Sequence, residues 1–304
     1  MSGSEQHQQS VGLAYLRLVG IAALIGIPAA FLAALFLGAV HVLEGWLWDD
    51  LPAALGASQP PWFLVLGLPV AGAAIVLAAR RLLPGDGGAP PMHGLSAAPT
   101  PVAFVPGVVL AALGSLPFGA VLGPELPVIA LGTAVGVLAN RYARLTGREA
   151  AVLFNAGSFS AISALFGGPL VAGILLIEGG VAAGAALIPA LLPGLVAAAV
   201  GYLIFVGLGD WAGLAAPGLV VPDLPAYQAE RLTDLMVGIV VGIVAVLVIS
   251  LVRALAVRTD RLRGVVGLPV LLLGGGLTVG ALALLAGALG ADPQDVLFSG
   301  QTGI

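Results

Sequence analysis

PVAFVPGVVLAALGSLPFGAVLGPELPVIALGTAVGVLANRYA, residues 101–143, is apolar enough for lipid and yet too broken for one straight helix. Gly123 and Pro124 divide it into segments at 101–119 and 125–143. A hydrocarbon core of about 30 Å needs roughly 20 apolar residues per helix, so each piece is short or barely sufficient. Short apolar segments interrupted by Gly and Pro suggest discontinuous helices that meet at a site in mid-membrane. Non-helical backbone at that depth survives only where protein or a water-filled cavity surrounds it. The stretch therefore predicts two helices whose junction near Gly123–Glu125 lies inside the protein, away from lipid.

Further apolar runs lie at 11–42, 62–83, 150–166, 169–182, 185–208, 232–257 and 265–289. The chain has 304 residues, 60% of them hydrophobic and 9% charged, and a mean hydropathy of +1.12. Soluble domains carry about 25% charge. With so few charges the surface must face lipid, and the expectation is an all-α polytopic protein that crosses the cell membrane several times. Residues 1–10 (MSGSEQHQQS) read as a loose polar tail without the basic region and cleavage site of a signal peptide, so the first helix should be retained. The longest polar connection, within 207–230, is the expected boundary between two halves. All 11 basic residues are arginine, and with the Ala and Gly richness this points to a bacterial plasma membrane.

The same composition narrows the function classes. Cysteine is absent, so no disulfide framework or thiolate site exists. His7, His41 and His93 form no metal-ligand spacing, and no cofactor motif is present. No basic patch supports a nucleic-acid partner. An intramembrane serine protease would need a His beside Ser158, Ser160 or Ser163, and none lies in a plausible partner helix. An aspartyl site could be imagined from Asp86 and Glu125, but neither sits in a protease-like motif. The acidic first loop (Glu44, Asp49, Asp50) and the closing Arg80 and Arg81 place the N-terminus and these arginines on the cytoplasmic side. Arg141/Arg144/Arg148 and Arg253/Arg258/Arg261/Arg263 mark other loops.

Three acids stand in apolar surroundings, where an ionisable group is costly and its default reading is functional. Glu125 lies at a helix start in GAVLGPELPVIALG, with Pro127 suited to the first turn. Unpaired N–H groups and the helix dipole make such a start attractive to an anion. A carboxylate there can block the site and swing away, or it can simply satisfy its own helix. Asp86 lies in PGDGGAPPMHG, where Gly-rich backbone can offer N–H groups to an anion. The alternative is an interfacial turn with Asp86 solvated and paired to Arg80 or Arg81. Glu178 ends FGGPLVAGILLIEGG and on its own reads as structural or interfacial.

Together these stretches resemble the CLC family of chloride channels and proton/chloride exchangers. Asp86-Gly87-Gly88-Ala89-Pro90, followed by His93-Gly94, is similar to that family's first anion loop. Gly123-Pro124-Glu125-Leu126-Pro127, with Gly132 and Gly136 behind it, resembles the gate motif. Phe166-Gly167-Gly168-Pro169-Leu170 through Glu178, with Ser158-Phe159-Ser160-Ala161 upstream, resembles the third and most specific run. The resemblance covers about residues 11–304.

The resemblance implies a helical fold of two inverted repeats, transport of chloride or another small anion, and a homodimer formed through the helices at 169–182 and 185–208, by way of Ala182-Ala183-Gly184-Ala185. Glu125 matches the gating glutamate. Asp86, Gly87, Gly88, Ala89, Pro90, Gly123, Leu126 and Pro127 match anion-binding positions, and Glu178 matches a secondary acid common to channels and exchangers. Gly87 falls where the family has an anion-binding serine. Pro124 and Leu126 replace the basic residue and the glycine that flank the family's gate. Gly179 falls where exchangers carry an internal proton-accepting glutamate, which favours a passive path over coupled exchange. The expected organisation is a tail at 1–10, a first repeat at 11–208, a connection at 209–230 and the beginning of a second repeat at 231–304. Later second-repeat elements have no counterpart before residue 304, which leaves a degenerate, non-conducting membrane protein as another class of function.

Overall fold

The computed structural model describes residues 3–88, 99–120, 122–180, 188–212 and 232–298, and every regular element among them is helical. Helix α1 (Gly3–Gly45) runs through a π-helical turn at Trp46–Asp50 into the short α2 (Leu51–Ala54). Then follow α3 (Trp62–Leu82), α4 (Val105–Ser115), α5 (Glu125–Ala143), α6 (Gly147–Leu165), α7 (Pro169–Gly180), α8 (Ile188–Ala212), α9 (Leu232–Val266), α10 (Leu268–Ala288) and α11 (Pro293–Leu297). Among the described residues, six helices are long and apolar enough to cross a membrane.

The helices assort into two packed groups. In the first, α1, α5, α6 and α8 surround a core that includes Ala33, Phe36, Val128, Ala161, Leu165 and Phe205. In the second, α3 and α10 pack together, with Leu47, Trp48, Val65, Leu68, Ala283, Leu297 and Phe298 buried between them and the flanking turns. The Trp48 indole Nε1 donates to the Pro117 carbonyl at 2.8 Å, and its ring meets Phe298 edge-on at 5.4 Å. Helix α4 contacts both α3 and α5 and so bridges the groups.

Close approach in the first group depends on small residues. A Cβ added at Gly132 of α5 would lie 2.7 Å from the Gly157 carbonyl carbon of α6, so the two backbones touch where glycine alone leaves room. Hydrophobic burial does not drive helices together in lipid, and this packing supplies the attraction instead. Three serines of α6 lie in the same interior. Ser160 donates to the Gly26 carbonyl of α1 at 2.7 Å, while the fully buried Ser158 and Ser163 hydroxyls lack partners among the described residues.

Two expectations need correction. Residues 3–10, read as a loose tail, form the first turns of α1, since nothing between Gly3 and Ser10 stops a helix and Glu and Gln are good helix formers. The arginines 253, 258, 261 and 263 stand not in a loop but on the C-terminal half of α9, and Arg263 lies in its last turn, where a cation favours the helix dipole. The 209–230 connection lies largely outside the described residues, as do Ala89, Pro90, His93 and Ala182–Ala185.

Candidate functional site

The decisive break falls where the sequence placed it. Helix α4 ends at Ser115 and α5 begins at Glu125, and the described residues between them, 116–120 and 122–124, are non-helical. Gly123, Leu126 and Pro127 of this junction line a cavity of about 950 Å³ between the two helix groups, and Pro127 is buried. The cavity is also walled by Ala73, Val76 and Arg80 of α3, by Gly85–Gly88, by α4, and by residues of α9 and α10. Among the described residues, the Asp86 loop and the α5 start, far apart in sequence, thus open on one space.

Helix geometry explains what the α5 start can offer. The opening N–H groups of a helix have no intrahelical partner. Here Pro124 and Pro127 carry no N–H, so the donors are those of Glu125 and Leu126. Pro124 provides no side-chain cap. The Glu125 carboxylate curls back against Gly123, where an added Cβ would lie 2.5 Å from one carboxylate oxygen and closer still to the other. Gly123 therefore leaves the space that this carboxylate fills. Glu125 makes no ion pair among the described residues and is not itself part of the cavity wall. Behind the start, the buried Thr133 accepts from the Thr100 amide at 3.3 Å and donates to the Ala130 carbonyl at 3.0 Å. This contact ties the chain entering α4 to α5.

Asp86 is also part of the cavity's lining. Its carboxylate receives both arms of the Arg80 guanidinium, from Nε at 2.8 Å and Nη2 at 2.5 Å. That hydrogen-bonded cation holds the Asp86 pKa below its ordinary value, with Arg263 adding a weaker pull in the same direction. The Asp86 side chain is 61% exposed. The solvated, paired turn and the cavity-lining loop are thus the same structure. Glu178 lies exposed on α7 and does not line the cavity.

Sequence reasoning missed the cavity residues Thr259, Asp260 and Arg263, contributed by α9. Their signal is the arginine cluster at 253–263, which charge alone marks as a loop. Among the described residues no group of His, Cys, Asp and Glu is placed to hold a metal.

Comparison with known proteins places this geometry among relatives. Residues 71–304 match the profile of a family described as "Voltage gated chloride channel". The chain is 30% identical over 290 residues to YfeO of Escherichia fergusonii, named as a candidate ion-transport protein. It is equally similar to YfeO of Escherichia coli. In both cases 92% of this chain is matched, and it spans 66% of the relative's length. The crystal structure of a slow cyanobacterial Cl⁻/H⁺ antiporter superposes with a TM-score of 0.67 at 20% identity. That match covers 88% of this chain and 62% of the other, and it is a likeness of fold.

Proposed function

Since this chain belongs to the voltage-gated chloride channel family, we propose that it moves chloride or a similar small anion across a bacterial membrane, with Glu125 as the gate. The observation that carries the reading is the cavity shared by the Gly85–Gly88 turn and the Gly123–Pro127 helix start. An anion in that space would meet the α5 start at Leu126 and the positive end of the α5 dipole, with the Glu125 amide next to it in the chain. The Glu125 carboxylate, drawn back over Gly123, competes for the same end of the helix. Gly87, Gly88, Gly123, Leu126 and Pro127 are the proposed lining of the path. The Gly87 position supplies no hydroxyl, so backbone donors must replace it.

Passive conduction is the favoured form. Coupled exchange needs a second acid that passes protons inward, and Gly179 stands where the family's exchangers have one. Glu178, one residue earlier, is exposed on α7. The expected assembly is a homodimer through α7 and α8, whose exposed faces carry Leu170, Ile174, Leu192 and Leu203.

The test is anion efflux from liposomes reconstituted with the purified protein, with proton movement recorded in parallel. Chloride flux without proton movement supports the reading. Stoichiometric proton counter-movement would make the protein an exchanger, and the absence of any flux would favour a non-conducting membrane protein.

A further inference from the structure

The cavity wall carries a second carboxylate that holds a place an anion could take. We propose that Arg80 is an anion ligand of this cavity and that Asp86 is its tethered competitor, a carboxylate that occupies the guanidinium until a mobile anion displaces it. The inference rests on the reading of the cavity as an anion path and adds to it a residue that no motif assigned.

The geometry supports each part. Arg80 is on the last turn of α3, and its side chain is 19% exposed. Its fork of donors is the kind that grips carboxylates and other anions in two places, and it keeps its charge at any accessible pH. Asp86 fills that fork. The carboxylate is mounted on a tight glycine-rich turn. Asp86 has φ 49°, and its neighbours Gly85, Gly87 and Gly88 have φ 96°, 74° and 106°. Glycine enters this left-handed region freely, and aspartate and asparagine enter it more readily than other side-chain-bearing residues. The ion pair thus spans from α3 to a turn closed by the Gly88 amide donating to the Gly85 carbonyl at 3.0 Å, and Asp86, of a residue type that tolerates the left-handed region, can keep that turn with its side chain released. Because Asp86 is mostly exposed, its release leaves the carboxylate in water and not stranded in an apolar interior.

Among the described residues, the charged ones that line the cavity are Arg80, Asp86, Asp260 and Arg263. They balance, so the paired state presents an anion with little net attraction. Withdrawal of Asp86 leaves two guanidinium groups against one carboxylate. Arg263 lies near enough to Asp86 to favour its charged form and has no ion pair among the described residues.

The test measures binding, so that it does not depend on flux. Isothermal titration of bromide into the purified protein in mild detergent would compare wild type with Asp86→Asn, Arg80→Gln and the double variant. Asn tolerates the left-handed region well, so Asp86→Asn should keep the turn. The expected result is a dissociation constant lowered about two- to five-fold in Asp86→Asn, the scale of an exposed ion pair. That gain should vanish when Arg80→Gln is added. An unchanged or weaker affinity in Asp86→Asn, an equal gain on the Arg80→Gln background, or no measurable binding in any form would overturn the proposal. Asp86→Gly is the second variant. If neither Asp86 variant gives folded protein by circular dichroism, the proposal is also overturned, because a carboxylate that leaves its partner during function cannot be essential to the fold. If Glu125→Gln leaves flux unchanged while Asp86→Asn tightens binding, the gate reading fails and this one stands. The reverse pattern sinks this one alone.

Discussion

Gly123→Ala should open the proposed gate while leaving its charge in place. The added Cβ would lie 2.5 Å from one Glu125 carboxylate oxygen and nearer to the other. Relaxed non-bonded contacts sit at about 3.5–4.0 Å, so the nearer carboxylate oxygen must withdraw by roughly 1.5–2 Å, which a change of rotamer supplies. The obstacle is the far end of a flexible side chain and not backbone, and Gly123 has no positive φ, so the fold should tolerate alanine. Displacing a side chain from its preferred rotamer costs about 0.5–1.5 kcal/mol. A gate equilibrium shifted by that amount changes the open population by roughly two- to ten-fold while openings remain rare. The assay is efflux per folded protein from liposomes for wild type, Gly123→Ala, Glu125→Gln and the double variant. Both single variants should raise flux, and the double variant should resemble Glu125→Gln alone, because the two changes act on one group. Flux raised by Glu125→Gln but unchanged or lowered by Gly123→Ala would refute the reasoning, as would gains that simply add.

Other outcomes follow from other contacts. Gly132→Leu should separate α5 from α6 and destabilise the protein by about 1–3 kcal/mol or more, read as a lower unfolding temperature in detergent; an unchanged melt would mean that the backbones do not touch there. Trp48→Phe removes the donor to the Pro117 carbonyl and should cost about 1 kcal/mol, whereas Trp48→Ala should cost about 3–5 kcal/mol, both measurable by denaturation. The Asp86 pKa is lowered from 3.8, so the stability of its pair is fully present above that value and is lost as pH falls through the depressed one. Hydrogen exchange at Leu83–Gly88 should therefore be flat between pH 7 and 5, after correction for intrinsic rates, and protection should fall only in stronger acid; a midpoint above 5 would contradict the pairing. Cysteines placed at Leu170 and Leu203 should cross-link two copies in mild detergent, and a strictly monomeric species would count against the homodimer.

Much of the fold was legible because lipid makes the sequence simple to read. Helix α5 begins at Glu125 and ends at Ala143, the limits set by Gly123-Pro124 and by the arginines that follow. Helix α3 likewise ends with Arg80, Arg81 and Leu82. The misreadings came from polarity. Residues 3–10 and the arginine cluster at 253–263 are hydrophilic, yet polar residues with good helix propensity extend a helix beyond the bilayer as readily as they end it. The candidate site was legible in its parts, since Gly-rich turns and broken helices announce themselves. Which distant segment joins them was not legible. Arg263 reaches the cavity because α9 leads into α10, which packs on α3, and no local pattern encodes that meeting.

The most direct test of the central claim is the pH dependence of anion efflux from liposomes for wild type and Glu125→Gln, normalised to folded protein. A neutral amide cannot compete with chloride for the positive start of α5 as a carboxylate does. The account predicts that Glu125→Gln conducts faster than wild type and that its flux varies less with pH. Equal flux and an unchanged pH response, accompanied by only the roughly 0.5–2 kcal/mol stability loss of an altered helix start, would contradict it and leave Glu125 a structural residue.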